Sequence, residues 1–448
     1  MFLKNFCRLV YSLCDFPIKN HTFVTNIMSM RTLCRIFVSF CLIHLCICAT
    51  VFGQESWTME RCISHALENN ISVSQSYLKQ RSSELQLKQS KMNRLPSVNG
   101  SASQSLLDPM NTSVGVNASL NLFDGFNTEN NIKKSKIELE RQAIQVEQAK
   151  YDIEIAVIEA YIQALYAKDN ISLAEKLLET SEKEMKISEA KFKIGSISQK
   201  DYSDMAAQYA NKQYSLIRAQ NQFSQQLLTL KQLLELGPEV DFDIAEQEQS
   251  DSDFEVPSPI DVFNEACKVY PEMLNAEQQL ALDSLSVKMA KSSYYPSLSL
   301  SAGVGANINF FDSESELQGN NSLRLSLSVP IFNKWQTKTS VETAKINSEY
   351  NALSVESARK NLYKQIENAC KNAESYQAEG KALEASLKAL EVSVELAQKQ
   401  FEVGLIDATT LLVTETNFAQ TSISQLQAKY MARLNYLVIQ HYQGQHSF

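Results

Sequence analysis

Four short stretches of the chain alternate between apolar and small polar residues with a period of two. In 97–106, Val98, Gly100, Ala102 and Leu106 share one parity, and Ser97, Asn99, Ser101, Ser103 and Ser105 the other. In 113–122 the even positions read Val, Val, Ala, Leu, Leu and the odd ones Ser, Gly, Asn, Ser, Asn. In 297–306, Leu298, Leu300, Ala302, Val304 and Ala306 oppose Ser and Gly; in 322–331, Leu323, Leu325, Leu327, Val329 and Ile331 oppose Ser322, Arg324, Ser326, Ser328 and Pro330. Alternation of this kind predicts half-apolar strands. About ten residues is the length a tilted strand needs to cross a bilayer. A soluble sandwich is the other reading. Uniformly aliphatic faces set against faces of uncharged Ser and Asn favour lipid on one side and a wetted lumen on the other.

The remaining pattern is helical. From Asn127 to Lys193 there is neither Gly nor Pro. Ile132, Leu139, Val146, Ile153, Ala160 and Ala167 repeat every seven residues, and Ile137, Ile144, Tyr151, Ile158 and Leu165 form a second such series five positions on. Five positions turn a helix by about 140°, so the two stripes face different neighbours, as in the wall of a cylinder rather than a single seam. Residues 334–401 form a second stretch of this size, interrupted by Gly380 alone. Helices are predicted before each long one (58–92 and 258–291) and after each (198–236 and 407–441). At about 1.5 Å per residue a helix of this length spans roughly 100 Å, which makes it a protruding tube or a soluble coiled coil.

These elements occur twice. With an offset of 200, Ala66 meets Ala266, Leu87 meets Val287, and Pro96, Ser97 and Ser101 meet Pro296, Ser297 and Ser301. The offset then becomes 209, pairing Phe123 with Phe332 and Gly195 with Gly404. The extra residues fall in Asn307–Asn321, opposite Leu107–Thr112. The chain thus divides into a first repeat (54–236), a connector (237–261) and a second repeat (262–448). The connector holds nine acidic residues and no Lys or Arg, which predicts a solvated link rather than a core element. Ser258 and Pro259 at its end read as a helix start.

Residues 1–53 stand apart. Arg31 and Arg35 precede an apolar run from Ile36 to Cys48 and a small-residue end at Ala49–Gly53, the layout of a secretory signal with cleavage after Gly53. Residues 1–29 exceed that signal, and Met28 or Met30 is a candidate start; an N-terminal membrane anchor is the competing reading. Cys46 and Cys48 lack the preceding small residue of a lipidation site. Cys62, Cys267 and Cys370, the three cysteines after Gly53, are too scattered for a disulfide framework or a metal centre.

Composition narrows the function classes. The 448 residues carry 12 Gly and 9 Pro, low for a loop-rich fold, and a formal charge of −9. That charge disfavours nucleic acid, whose phosphates require a basic surface. No apolar run of about 18 residues follows residue 55, so no helical span is expected in the mature chain. The histidines after residue 55 (His65, His441 and His446) join no Ser/His/Asp arrangement, phosphate loop or metal-spaced cluster. The expectation is a protein that is not an enzyme and takes no cofactor or metal.

Four strands cannot close a barrel, since about eight is the smallest number that encloses a filled interior. Open strand edges are not tolerated in lipid. If these strands sit in a membrane, several chains must therefore share one barrel. The repeat, the strand pairs framed by Pro96 and Phe123 and by Pro296 and Phe332, and the helix breaks at Ile194-Gly195-Ser196-Ile197 and Val403-Gly404-Leu405-Ile406 resemble the TolC family of outer membrane efflux proteins. The resemblance covers nearly all of residues 56–441. It implies an α+β membrane protein: a homotrimer sharing one β-barrel, four strands per chain, above a long antiparallel coiled-coil tunnel in the periplasm. It also implies outer membrane lipid around the barrel, and a periplasmic adaptor docking at the tip and joining the duct to an inner-membrane pump of the RND, ABC or MFS class.

Carried over by residue, Val403, Gly404, Leu405 and Ile406 match the adaptor-docking turn, and Ile194, Gly195, Ser196 and Ile197 match it more loosely. An ordinary hairpin turn is the alternative. Asp201 falls where the family narrows the tunnel with aspartates, and Asp204 lies one turn later on the same face; around an oligomer axis they would form a carboxylate ring that favours cations. The corresponding positions of the second repeat are Thr410 and Val413, with Asp407 and Glu415 out of phase, so a solvated role for the aspartates stands beside the gate. The competing function is a structural coiled-coil protein of the outer membrane. The cargo is not encoded in these features.

Overall fold

The computed structural model describes residues 57–105, 111–245, 254–309 and 318–444. The expected signal segment and its cleavage point lie outside these residues, as do Leu106 at the end of the first predicted strand and parts of the connector and of both strand loops.

The elements run α1 (Met59–Asn69), α2 (Ile71–Met92), β1 (Ser97–Gln104), β2 (Asn111–Asp124), α3 (Asn127–Lys193), α4 (Gln199–Leu233), then α5 (Pro259–Val269), α6 (Pro271–Ser292), β3 (Ser297–Asn309), β4 (Gln318–Ser328), α7 (Gln336–Glu402) and α8 (Ala408–Tyr442). The second six repeat the order of the first six.

The single helices expected over 58–92 and 258–291 are each broken once. At the first break Asn70 adopts an extended backbone, and its side-chain oxygen accepts from the Ser72 amide at 2.8 Å, restarting the chain as α2. At the second, Tyr270 precedes Pro271, whose ring bars the preceding residue from the helical region. α7 runs uninterrupted through Gly380.

Both seven-residue stripes of α3 are buried, Val146, Ala160 and Ala167 on one and Tyr151, Ile158 and Leu165 on the other. α3 packs along α4, α2, α6 and α8, which is the wall geometry that two stripes about 140° apart demand.

The connector is not a solvated link throughout. Trp57 and Ile244 form a parallel bridge, with the Trp57 amide donating to the Asp243 carbonyl at 3.0 Å and the Ala245 amide to the Trp57 carbonyl at 2.9 Å. Phe242 and Ile244 are buried in the core around α1, α3 and α4. Phe254 stacks on Tyr436 at 4.2 Å, and its carbonyl accepts from the Gln377 amide at 3.1 Å. The alternation of acidic residues with Phe242 and Ile244 lets one side of this segment pack while the other stays in water.

The strands form one antiparallel sheet in the order β1-β2-β3-β4. Register carries the faces across it. Val98, Ala118, Ala302 and Leu323 form one row; Ser97, Ser119, Ser301 and Arg324 form a row on the opposite face. A bulge between Asn121 and Phe123 takes Leu122 out of the ladder and pairs Phe123 with Leu298. β4 begins at Gln318 and ends at Ser328, short of the predicted Ile331, because Pro330 has no amide to donate. β1 and β4 are open edges.

Candidate functional site

The two hairpins turn in the same way. After α3, the Gly195 amide donates to the Phe192 carbonyl at 2.9 Å and the Ser196 amide to the Lys191 carbonyl at 2.8 Å. After α7, the Gly404 amide donates to the Phe401 carbonyl at 3.1 Å and the Leu405 amide to the Gln400 carbonyl at 2.8 Å. Gly195 and Gly404 sit at φ +75° and +81°, the left-handed conformation that closes a helix at little cost only for glycine. The first turn therefore reproduces the second in geometry although its sequence matches more loosely.

The next helix restarts at once. Ser198 Oγ accepts from the Asp201 amide at 3.1 Å while Asp201 Oδ2 accepts from the Ser198 amide at 3.3 Å, a reciprocal capping box. In the second repeat Asp407 takes the cap, accepting from the Thr410 amide at 2.8 Å. The Thr410 hydroxyl and amide hold the Asp407 carboxyl below the ordinary carboxylate range.

These turns present apolar side chains to solvent. Ile194 is 80% exposed, Val403 73% and Leu405 74%. Ser196, with Gly195 and Gly404, is exposed as well, whereas Ile197 is half-buried. Ile406 is half-buried against the tip core of Met205, Phe401, Ala408 and Leu411. Of the five aliphatic residues in the two turns, Ile194, Val403 and Leu405 thus face outward. Lys191 ties the two tips together: its ammonium donates to the Phe401 carbonyl and lies 4.5 Å from the Phe401 ring.

Asp201 and Asp204 are both half-buried. Asp201 is engaged in the capping box. Asp204 Oδ2 accepts from Lys200 Nζ at 2.6 Å, an exposed i,i+4 pair worth well under about 1 kcal/mol.

A buried polar cluster that sequence reasoning missed lies about three turns above the tip. Glu184 of α3 and Glu415 of α8 are 6% and 7% exposed. Burial first, then the neighbouring Glu415 carboxyl, push Glu184 up to about 9. The nearest cation, Lys212 of α4, is itself held down by burial. Beside them is a cavity of about 210 Å³ lined in part by Leu177, Val394 and Phe418. Ser181 and Ser188 continue the stripe of Val146, Ala160 and Ala167 and bracket Glu184, which was the available signal for its burial.

A sheet with two open edges, carried on a double hairpin roughly 100 Å long, defines a subunit of a self-completing membrane duct. The sequence profile of the outer membrane efflux protein family matches residues 62–235 and 262–444, and the chain belongs to that family. The chain is 21% identical over 183 residues to the probable efflux pump outer membrane protein TtgC of Pseudomonas putida, covering 41% of this chain and 38% of that relative. It is 22% identical over 192 residues to the cation efflux system protein CusC of Escherichia coli, covering 43% and 42%. The chain thus spans about two fifths of the length of these curated relatives. A solved structure of CusC superposes with a TM-score of 0.73 at 18% identity, covering 88% of this chain and 95% of that one, so the fold agrees over nearly the whole length. The chain is an outer membrane protein with its helical body in the periplasm, and not an enzyme.

Proposed function

We propose that the chain is one of three identical subunits of a passive exit duct, which receives cargo from an inner-membrane pump of the RND, ABC or MFS class through a periplasmic adaptor. The observation that carries this reading is the open sheet. β1 and β4 leave unpaired backbone groups along both edges, lipid cannot satisfy them, and copies of the chain can. Three copies make a barrel of twelve strands. The outward faces of α2 (Ile71, Leu78, Leu85) and α7 (Ile346, Tyr350, Leu353) are exposed aliphatic and aromatic surface in the lone chain, as surfaces meant for a neighbouring subunit are.

Ile194, Val403 and Leu405 then form the adaptor-docking patch, with Gly195, Ser196, Ile197, Gly404 and Ile406 shaping the turns under it. Asp201 and Asp204, repeated around the axis, form the carboxylate ring of the channel gate. The mass of the detergent-purified protein tests the assembly: three chains are expected, and a monomer soluble without detergent sinks the reading. Planar-bilayer conductance tests the gate. Asp201→Ala is expected to weaken cation preference; an unchanged preference removes Asp201 from it.

A further inference from the structure

The protein is acidic overall, with a formal charge of −9, yet the zone where its helices meet its strands is basic. The eleven residues adjoining each strand at its helical end are 86–96, 125–135, 286–296 and 329–339. Together they hold nine Lys and Arg against a single acid, Glu129. Lys91, Arg94, Lys288, Lys291, Lys334 and Lys338 are all exposed. Glu129 is taken up by Arg94 at 2.6 Å; the nearby Glu342 is paired with Lys345 at 2.8 Å and reaches Lys338 and Lys291 only through space. The far ends of the strands reverse the sign: residues 105–110 and 310–317 contain Asp108, Asp312, Glu314 and Glu316 and no Lys or Arg.

The same zone carries exposed aromatics. Phe126, Tyr294, Tyr295, Phe332 and Trp335 are each more than half exposed. Phe126 and Trp335 occupy equivalent places in the two repeats, and both hold a left-handed backbone, at φ +68° and +67°. A bulky residue rarely accepts that conformation. Finding it twice at the start of the long helices, under an aromatic ring each time, marks the ring's presentation as selected. Lys338 Nζ lies 3.9 Å from the centre of the Trp335 ring. Aromatic rings settle at the headgroup level of a bilayer, and cations just outside it attract anionic lipid.

We propose that this collar is a binding surface for anionic phospholipid headgroups of the periplasmic leaflet of the outer membrane. The proposal rests on the barrel reading above. Charge complementarity selects the occupant: a zwitterionic headgroup gives Lys288, Lys291, Lys334 and Lys338 no net partner, whereas the phosphodiester of a glycerophospholipid with an uncharged headgroup does.

The test uses the full mature chain in two settings. In native mass spectrometry of the detergent-purified protein, phosphatidylglycerol is expected to be retained at least about tenfold over phosphatidylcholine. That preference is expected to vanish in the fourfold variant Lys288→Gln, Lys291→Gln, Lys334→Gln, Lys338→Gln, to persist in the matching Lys→Arg variant, and to persist when Lys183, Lys186, Lys364 and Lys388 are changed to Gln instead. Equal retention of the two lipids, or a fourfold Gln variant that keeps the preference, overturns the proposal. So does a fourfold variant that alters ion selectivity in planar bilayers while keeping phosphatidylglycerol, since its lysines then face the lumen. Competition by millimolar inorganic phosphate as effective as that of the lipid also overturns it, because the site then reads a free anion. In vesicles of phosphatidylethanolamine with or without phosphatidylglycerol, a chain that enters neither overturns the barrel reading and this proposal together. A chain that enters and assembles equally in both overturns this proposal alone.

Discussion

Glu184 on α3 and Glu415 on α8 share one side chain: the Gln398 amide of α7 donates to Glu184 Oε1 at 2.9 Å and to Glu415 Oε1 at 3.2 Å. Three helices from both repeats therefore meet through two carboxyl groups and one amide, almost out of contact with water. Two ionised carboxylates in such a place repel each other and lose their hydration, so the pair retains a proton.

The pH dependence follows. Glu184 is raised from 4.5 to about 9, so the folded state binds this proton more tightly than the unfolded chain does. The associated stability is complete below about 4.5 and is lost as pH rises toward about 9. Lys212 is shifted down by burial and acts in the opposite sense, over the range below its ordinary 10.5. Melting of the helical body, followed by circular dichroism, is expected to fall by a few degrees between pH 6 and pH 9, corresponding to on the order of 4 kcal/mol. Glu184→Gln is expected to flatten that slope and to be the more stable form at pH 9. A wild-type slope that survives the substitution would show that another group carries it.

The tip separates docking from folding. Leu405 is exposed and outside the tip core, so Leu405→Asp is expected to leave the melting temperature within about 1 °C of wild type. It is also expected to abolish adaptor co-purification. Gly404→Ala is expected to lose docking and stability together. A new Cβ meets nothing within 4 Å, and the cost is the left-handed backbone alone, about 1 kcal/mol. Lost docking in both with lost stability only in Gly404→Ala supports the patch; intact docking in Leu405→Asp refutes it.

Gly125 has no such freedom. It holds φ +66°, and a Cβ there would lie 2.5 Å from the Ser292 carbonyl oxygen and 3.0 Å from Tyr295 Cβ. Gly125→Ala is expected to cost more than about 2 kcal/mol, read as loss of assembled, heat-resistant oligomer on gels. Gly100→Ala, with open space around it, is the matched control and is expected to assemble normally.

What could be read from the chain alone follows from periodicity. Two stripes in α3 and alternation in four strands are strong signals, because burial on one face must repeat at the spacing of the element. The break at Asn70 was less legible, because a cap inside an apolar-periodic run reads as an ordinary helical residue until its ψ of 133° is known; at Tyr270 the following Pro271 was the signal. The connector misled through its charge. Nine acids in 237–261 outweighed the alternating Phe242 and Ile244 that pack inward. Glu184 was hidden for the opposite reason, since a glutamate on a helix is ordinarily solvated, and its depth becomes visible only when α7 and α8 close over it.

The sheet offers the sharpest test of which side meets lipid. Leu323, Leu325 and Leu327 of β4 share a face with Ala302, Leu300 and Leu298 of β3, and Leu323 is 78% exposed in the lone chain. The opposite face already tolerates a charge, because Arg324 lies there opposite Ser301, between Ser322 and Ser326. If the aliphatic face meets lipid, Leu325→Arg brings a cation into hydrocarbon at a cost of about 2–4 kcal/mol near the midplane. Ser326→Arg, one residue along on the wetted face, costs little. Urea titrations of barrel assembly in vesicles are expected to show a lowered midpoint for Leu325→Arg and one near wild type for Ser326→Arg. Equal midpoints would mean that neither face meets lipid; a reversed order would turn the barrel inside out.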